Sequence, residues 1–335
     1  MKYPLVRSPC VSVSKERAEE FIRYALRNDI IRKDLKIRTE GENVVIPVKE
    51  CNSNPSLPVY TSEFESREQE RGILESVESI VGNRPHVGWE RLGGAIIFNM
   101  YFPGIEKVSE AIVSRSLADQ VYVNEKKITS DRRKPQVKLL SGSSGNVIIR
   151  ENGVKYVMNP SQLMFSKGNV VERGMQFLKN QQYNNVLDMF AGIGYFTLPL
   201  AIRDYVKHVT AIDINETALA FLREAARLNK VQGKIAIVQS DCRVFRSDTL
   251  FDLVVMGNFK CLEYMVHGLR MVKDGGSIIF HHLEESTNIS ISVYDIAQIG
   301  KRMGYNLSLC NSHIVKSYSP HLWHLSSTFT ITRRY

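Results

Sequence analysis

The stretch NVLDMFAGIGYFTLPLA, residues 185–201, constrains this chain more than any other. A short apolar run, Val186-Leu187-Asp188, ends in a glycine turn, Phe190-Ala191-Gly192-Ile193-Gly194, and a helix opens at about Phe196. Glycines let the backbone pass close under a ligand and take dihedrals that other residues resist. The turn reads D-x-F-x-G-x-G-x-F rather than the G-x-G-x-x-G of dinucleotide folds. A second strand, in HVTAIDINETALAFLREAARLNK, ends at Asp213, where a carboxylate can accept both ribose hydroxyls. A third, IAIVQSD, ends in Asp241-Cys242-Arg243, where a polar side chain can meet the amino group of adenine. Glycines and acids in this register predict a nucleoside pocket of the S-adenosylmethionine type. The alternative is a NAD-type or purely structural Rossmann-like unit. The candidate cofactor contacts here are Asp188, Phe190, Gly192, Asp213, Asp241 and Cys242. Two of them have a plainer reading as well: Asp188 could only cap the turn, and Cys242 could only pack.

The rest of the 335-residue chain has room for further domains. Residues 1–60 read as a small N-terminal α/β module: a helix at SKERAEEFIRYALRNDII with Ser14 as its N-cap, then a hairpin at LKIRTEGENVVIPV. ECNSNPSLPVYTSEFES, residues 50–66, is rich in Ser, Pro and Asn and reads as a linker. Residues 67–160 begin with a helix and continue as short strands, a β-rich middle domain with a hairpin signal at Glu151-Asn152-Gly153. From 161 to 335 strands alternate with helices, the pattern of an α/β Rossmann-like domain with parallel strands. VKSYSPHLWHLSSTF, residues 315–329, reads as a hairpin closing that sheet.

No apolar run reaches the roughly 18 residues needed to cross a bilayer, and the first residues lack the apolar core of a signal peptide. Five dispersed cysteines without a C-x-x-C pair point to reduced thiols and a cytoplasmic protein. The net charge of +9 suits a polyanionic partner. His281-His282 and His321-x-x-His324 have no acid or cysteine at ligand spacing, so no metal is expected.

Three segments together carry a family resemblance: MFSKGNVVERGM (164–175), VLDMFAGIGYF and AIDINETALAFLREAARLN. They resemble the archaeal and eukaryotic enzymes that modify the purine 3′ to the tRNA anticodon. Two siblings share that catalytic domain. One is the tRNA guanine-N1 methyltransferase. The other is the wybutosine-synthesising aminocarboxypropyltransferase, which moves the 3-amino-3-carboxypropyl arm of S-adenosylmethionine to a carbon of a tricyclic guanine derivative. The N-terminal module resembles the domain that touches the tRNA body in the methyltransferases, and DRRKPQVKLLSG (131–142) resembles the family's R-x-P segment. Where the methyltransferase has S-P-R-L, this chain has Ser166-Lys167-Gly168-Asn169, similar to the transferase's S-x-G-N. Where the methyltransferase has Asn-Leu-Pro, this chain has Gly257-Asn258-Phe259. GSIIFHHLEE (276–285) is similar to the transferase's I-H-Y-H-E strand. The resemblance therefore implies aminocarboxypropyl transfer to tRNA, with methylation of guanine N1 as the alternative. A non-catalytic tRNA-binding protein with a relic pocket is a rival of another class. This chain is expected to act as a monomer.

S-adenosylmethionine has three electrophilic carbons, and the one that points at the nucleophile reacts. Turning the methionine arm toward the substrate places its carboxylate where it needs a donor. Arg173 is the candidate, since guanidinium matches a carboxylate in a two-toothed fork; Ser166 would add a hydrogen bond. The plainer readings are an ion-paired surface arginine and a helix N-cap. Glu172 matches the acid that acts as general base in the methyltransferase, and its plainer reading is a salt-bridge partner. On the substrate side the candidates are Asn258, Phe259 and one of His281 and His282, since strand neighbours face opposite ways; His281 is the first choice. Arg133, in a basic cluster with Arg132, Lys134 and Lys138, and Lys316 are candidates for phosphate. A glycine at 257 is expected to leave space for a bulkier base or a differently folded arm.

Overall fold

The computed structural model describes residues 5–49, 58–65, 68–82, 87–125, 135–165, 169–174, 181–259, 261–285 and 291–333. The chain divides into two compact units: Met1–Lys127 with Gln136–Ser144, and Ile128–Pro135 with Gly145–Tyr335.

The first unit begins with a sheet of β1 (Leu5–Ser14), β2 (Arg38–Glu40), β3 (Asn43–Pro47) and β4 (Val59–Glu65) in the order β2-β3-β1-β4, joined by α1 (Lys15–Arg27). Its core gathers Val11, Val13, Ala25, Ile30, Ile31, Ile46 and Val48. Part of the stretch expected to be a linker is therefore a strand. β4 pairs antiparallel along β1, from Val59 opposite Val11 to Glu65 opposite Leu5. It lies at the sheet edge, and its Val59 and Tyr60 are exposed while Phe64 is buried. A strand that buries so little needs little apolar sequence, which is why its composition reads as a linker.

Next follow α2 (Glu68–Val81), β5 (Trp89–Leu92), β6 (Ala95–Phe98), α3 (Ile105–Ser114), β7 (Gln120–Asn124) and β8 (Val137–Gly142). The four strands form one sheet in chain order, with β6 and β7 parallel. A parallel pair needs a crossover. α3 supplies it, burying Ile105, Val108 and Ile112. This segment is more helical than its strand-rich sequence suggests.

In the second unit, β9 (Val147–Glu151) and β10 (Val154–Met158) form the expected hairpin, with Asn152 and Gly153 both at positive φ, +50° and +79°. This is the backbone of a type I′ turn, which Asn-Gly favours. The hairpin groups with the C-terminal residues and not with the middle segment. The Asn229 side chain ties it down, accepting from the Lys155 N–H at 2.9 Å and donating to the Lys155 carbonyl at 2.6 Å. The short helix α4 (Val170–Arg173) follows.

The remaining elements are β11 (Tyr183–Asp188), α5 (Thr197–Ala201), β12 (Val206–Asp213), α6 (Glu216–Leu228), β13 (Ile235–Gln239), β14 (Phe251–Met256), α7 (Cys261–Met271), β15 (Val272–Glu285), α8 (Ile291–Arg302), β16 (Tyr305–Ser319) and β17 (Leu322–Arg333). Seven strands make one sheet, β13-β12-β11-β14-β15-β17-β16; the first five are parallel, and β17 runs antiparallel to both β15 and β16. β14 is buried at every position, and β11 and β12 bury Val186-Leu187-Asp188 and Val209, Ala211 and Ile212, as strands covered on both faces must. The strand order reverses between β11 and β14, and in open α/β sheets ligands bind beyond the carboxyl ends at such a point.

Asp252 locks the start of β14 to β11. Its Oδ2 accepts the N–H groups of Asn184 and Asn185, both at 2.7 Å, and its Oδ1 pairs with Lys273. Burial works against the charge, but Lys273 and the two amides hold this carboxyl below the usual range. Removing it leaves two strand amides without their acceptor. Asp252→Ala is expected to cost about 2–4 kcal/mol, read as a lower urea midpoint; Asp252→Asn, which keeps an acceptor oxygen, should lose less.

Candidate active site

The glycine turn leaves β11 under close constraint. Gly194 has φ +96°, and a Cβ there would lie 2.6 Å from Leu222 Cδ1 and 2.7 Å from Leu198 Cγ. Gly192 has φ +53°, and its Cβ would meet only the Tyr195 ring, at 3.5 Å. Gly194 thus serves close packing, while Gly192 keeps the turn open. Asp188 is fully buried beneath it. It accepts from the Thr197 hydroxyl at 2.7 Å and the Phe190 N–H at 3.3 Å, and burial pushes its carboxyl up to about 6. This is the capping role: Asp188 supports the turn from beneath.

Asp213, at the end of β12, accepts from the Gly192 N–H at 2.7 Å and the Asn215 N–H at 2.8 Å. A carboxylate has about four lone-pair directions, so two amides leave capacity for ribose hydroxyls. Asp241, beyond β13, is held by Arg243 at 2.5 Å, whose hydrogen bonds bring it down to about 2. Cys242 is buried in the core with Leu187, Met189 and Ile212, its thiol pushed up to about 11 by burial. That is the packing reading, and any ligand contact there falls to its backbone. Phe190 packs against the same core, its ring edge-on to Tyr264 at 5.2 Å. The residues at these strand ends fit the nucleoside half of S-adenosylmethionine.

Arg173 departs from expectation. Its side chain is 1% exposed and holds Glu151 in a two-toothed fork at 2.5 and 2.6 Å. Its guanidinium lies 5.1 Å from the Phe165 ring centre and 5.3 Å from that of Tyr195. The fork that was to take a ligand's carboxylate takes one from the β9–β10 hairpin instead. Asn152 of the same hairpin donates to the Val170 carbonyl at 2.6 Å, so the turn grips α4 at two points. Ser166 lies outside the described residues, as do Arg132, Arg133 and Lys134 of the expected basic cluster; Lys138 is exposed on β8.

Gripped in this way, α4 turns Glu172 to the sheet. Glu172 is 2% exposed; its Oε2 accepts from His313 Nε2 at 2.7 Å, and its Oε1 lies 3.6 Å from His281 Nε2. His281 Nδ1 and His324 Nε2 are 2.9 Å apart. The register explains the cluster: His281 of β15 stands opposite Ser326 of β17, and Ser326 stands opposite His313 of β16. These three form one row across the strands, with His324 two residues along β17 on the same face. His282 points the other way, to Glu284 at 2.9 Å and Ser327 at 3.0 Å. His281 is thus the one that faces the cluster. Burial pushes His281 down to about 4 and His324 down to about 3, so both are neutral. Among the described residues no group of three such side chains is arranged to hold a metal ion.

The Gly257-Asn258-Phe259 corner closes over this cluster. Phe259 lies edge-on to His324 at 4.7 Å and to Tyr318 at 5.3 Å. The Asn258 carbonyl accepts from the Cys261 N–H at 3.1 Å, which starts α7. Lys316 stands opposite His324 in the β16–β17 register. A Cβ on Gly257 would lie 2.6 Å from Phe196 Cε2 and 2.9 Å from its Cδ2, and the Phe196 ring in turn lies 5.0 Å from that of His281. The space over Gly257 is therefore filled by Phe196 and is not a vacancy for a larger base. His313 and His324 were absent from the expected site; alternation along β17 puts His324 with Ser326, but only strand register brings in His313.

A glycine turn at a switch point, with acids at the next two strand ends, defines a nucleoside-binding domain of the Rossmann-like transferase type. Residues 147–308 match the TRM5/TYW2 methyltransferase domain, and residues 10–55 match the tRNA methyltransferase 5 N-terminal domain. The chain is 30% identical over 242 residues to the tRNA(Phe) (4-demethylwyosine(37)-C(7)) aminocarboxypropyltransferase of Pyrococcus horikoshii, across 71% of this chain and 86% of that one. It is 24% identical over 345 residues to the tRNA (guanine(37)-N(1))-methyltransferase Trm5b of Methanocaldococcus jannaschii, across 97% and 99%. The crystal structure of M. jannaschii TYW2 in complex with AdoMet superposes with a TM-score of 0.61 at 25% identity, covering 73% of this chain and 100% of that one. This chain belongs to the TRM5/TYW2 family.

The Gly257–Phe196 contact makes a stability prediction. Gly257→Ala is expected to cost about 1–3 kcal/mol through overpacking, and Phe196→Leu in the same chain should recover part of it. Urea unfolding of the three variants checks this; additive losses would mean that the two positions do not share space.

Proposed function

We propose that this protein transfers the 3-amino-3-carboxypropyl group of S-adenosylmethionine to a carbon of the tricyclic guanine derivative 3′ to the tRNA anticodon, releasing methylthioadenosine. It would act as a monomer in the cytoplasm. The observation that carries the reading is the corner after β14. Gly257 stands where the methyltransferase sibling has the asparagine of Asn-Leu-Pro, and the Phe196 ring lies 2.6 Å from where a side chain would begin. The device that presents a base nitrogen to a methyl group therefore has no place here. The identity to the P. horikoshii aminocarboxypropyltransferase supports the same reading.

In this reading the donor supplies an electrophilic carbon beside its sulfonium. Asp213 holds the ribose, and Asp241 with the Cys242 backbone borders the adenine. Glu172 takes the proton that leaves the alkylated carbon. Phe259, edge-on to Tyr318, receives the splayed base, since unstacked bases are read on aromatic faces. Lys316 faces phosphate, and the net charge of +9 serves the tRNA backbone. The methionine carboxylate reaches the Arg173 fork only if Glu151 leaves it.

A second reading, guanine-N1 methylation, is favoured by the N-terminal match at residues 10–55 and by the end-to-end similarity to Trm5b. By-product identification separates the two. Incubating tRNA with donor labelled in the methyl or in the carboxypropyl carbons is expected to put only carboxypropyl label into tRNA and to release methylthioadenosine. Methyl label in tRNA with adenosylhomocysteine would establish the second reading, and neither by-product would leave a binding protein.

A further inference from the structure

Glu172 poses a problem that the proposed chemistry does not solve. A carboxyl 2% exposed, with two neutral imidazoles beside it, sits where burial favours the uncharged acid. An acid in that form accepts no proton. Its two oxygens lie in unlike settings. Oε2 is engaged by His313 Nε2 at 2.7 Å, whereas Oε1 and the His281 Nε2 that it faces make no hydrogen bond within 3.5 Å among the described residues, with the Ser326 hydroxyl the other group that favours the carboxylate. His313 differs from the other rings of the cluster, with a side chain 36% exposed and Nδ1 3.3 Å from the exposed Asn311 amide.

We propose that His313 is the positioning residue that keeps Glu172 a carboxylate: its imidazolium occupies Oε2 and leaves Oε1 open to the substrate's proton. This rests on the transfer reading above. As the base's carbon bonds to the donor's carbon, the carbon–sulfur bond breaks and its electron pair stays on sulfur. The proton lost from the base's carbon goes to Glu172 Oε1 and passes to water after product leaves. No other reactant is needed.

The charges are consistent with this arrangement. Burial works to raise Glu172, but the His313 bond, then His281 and Ser326, outweigh it and hold the acid below its ordinary value. The bond to Glu172 raises His313 despite its partial burial. The other groups facing the cluster are His281 on β15 and His324 on β17, with the Lys316 charge felt at His324. His282 lies on the opposite face, beside Glu284. Of these, His281 also lowers Glu172, but by less than the His313 hydrogen bond does.

The sign follows. With His313 charged, Glu172 is held below its ordinary value and stays ionised. Without that charge its pKa rises, so the acid limb of the rate profile moves to higher pH. The test is single-turnover rate against pH for wild type, His313→Gln and His313→Ala, following whichever by-product the wild type releases. His313→Gln keeps a hydrogen bond and loses the charge; its acid limb is expected to move up by about one pH unit or more, with the high-pH plateau within a few-fold of wild type. In His313→Ala, added imidazole should move the limb back, because the ring's place is half open. A limb that stays at the wild-type pH, or a loss equal at every pH, overturns the inference. A wild type that releases adenosylhomocysteine would instead overturn the transfer reading and leave the limb readable.

Discussion

The Phe196 ring is the contact on which the catalytic unit turns. It belongs to the nucleoside turn by sequence, to the β14 corner through Gly257, and to the histidine row through His281. Tightly packed interiors transmit displacement, because a ring held on three sides has no slack to absorb it. A change at any one of the three places is therefore felt at the other two. This couples the part of the site that fits a nucleoside to the part that holds the buried acid.

A second coupling runs through adjacent residues of α4. Arg173 and Glu172 point apart, one to the hairpin and one to the sheet. The hairpin supplies Glu151 to the arginine and Asn152 to the Val170 carbonyl, which fixes the helix rotation and with it the direction of the acid. An ion pair as enclosed as Arg173–Glu151 is a weak source of stability, since desolvation offsets most of its attraction. It is a strong source of geometry, because neither partner can turn away without leaving a buried charge alone.

These couplings separate what the sequence reveals from what it hides. The glycine turn, Asp213 and Asp241 are legible because each lies at a short, fixed spacing from the element that places it. The Asn152-Gly153 turn is legible for the same reason. The partner of Arg173 is not, since Glu151 lies across a hairpin that the sequence assigns to the middle segment. The role of Gly257 reads backwards: a missing side chain suggests space, and only the packing reveals a ring already there. The His281–Ser326–His313 row depends on the register of three strands, and a slip of one residue would turn each side chain to the other face. No local pattern carries that information.

The antiparallel end of the sheet acquires its importance from this register. β15 alone brings one histidine to the acid, and a buried carboxyl beside one neutral ring would be expected to hold its proton. β17 adds Ser326 and a second neutral ring, which still leaves no cation. Only β16, the last strand in the order, brings a ring that is half in water and can carry charge. An edge strand is where such a residue must be, because a fully buried imidazolium would pay its own desolvation cost. The final hairpin thus closes the sheet and places a proton-bearing group at the one depth where it can serve an acid it could not join inside.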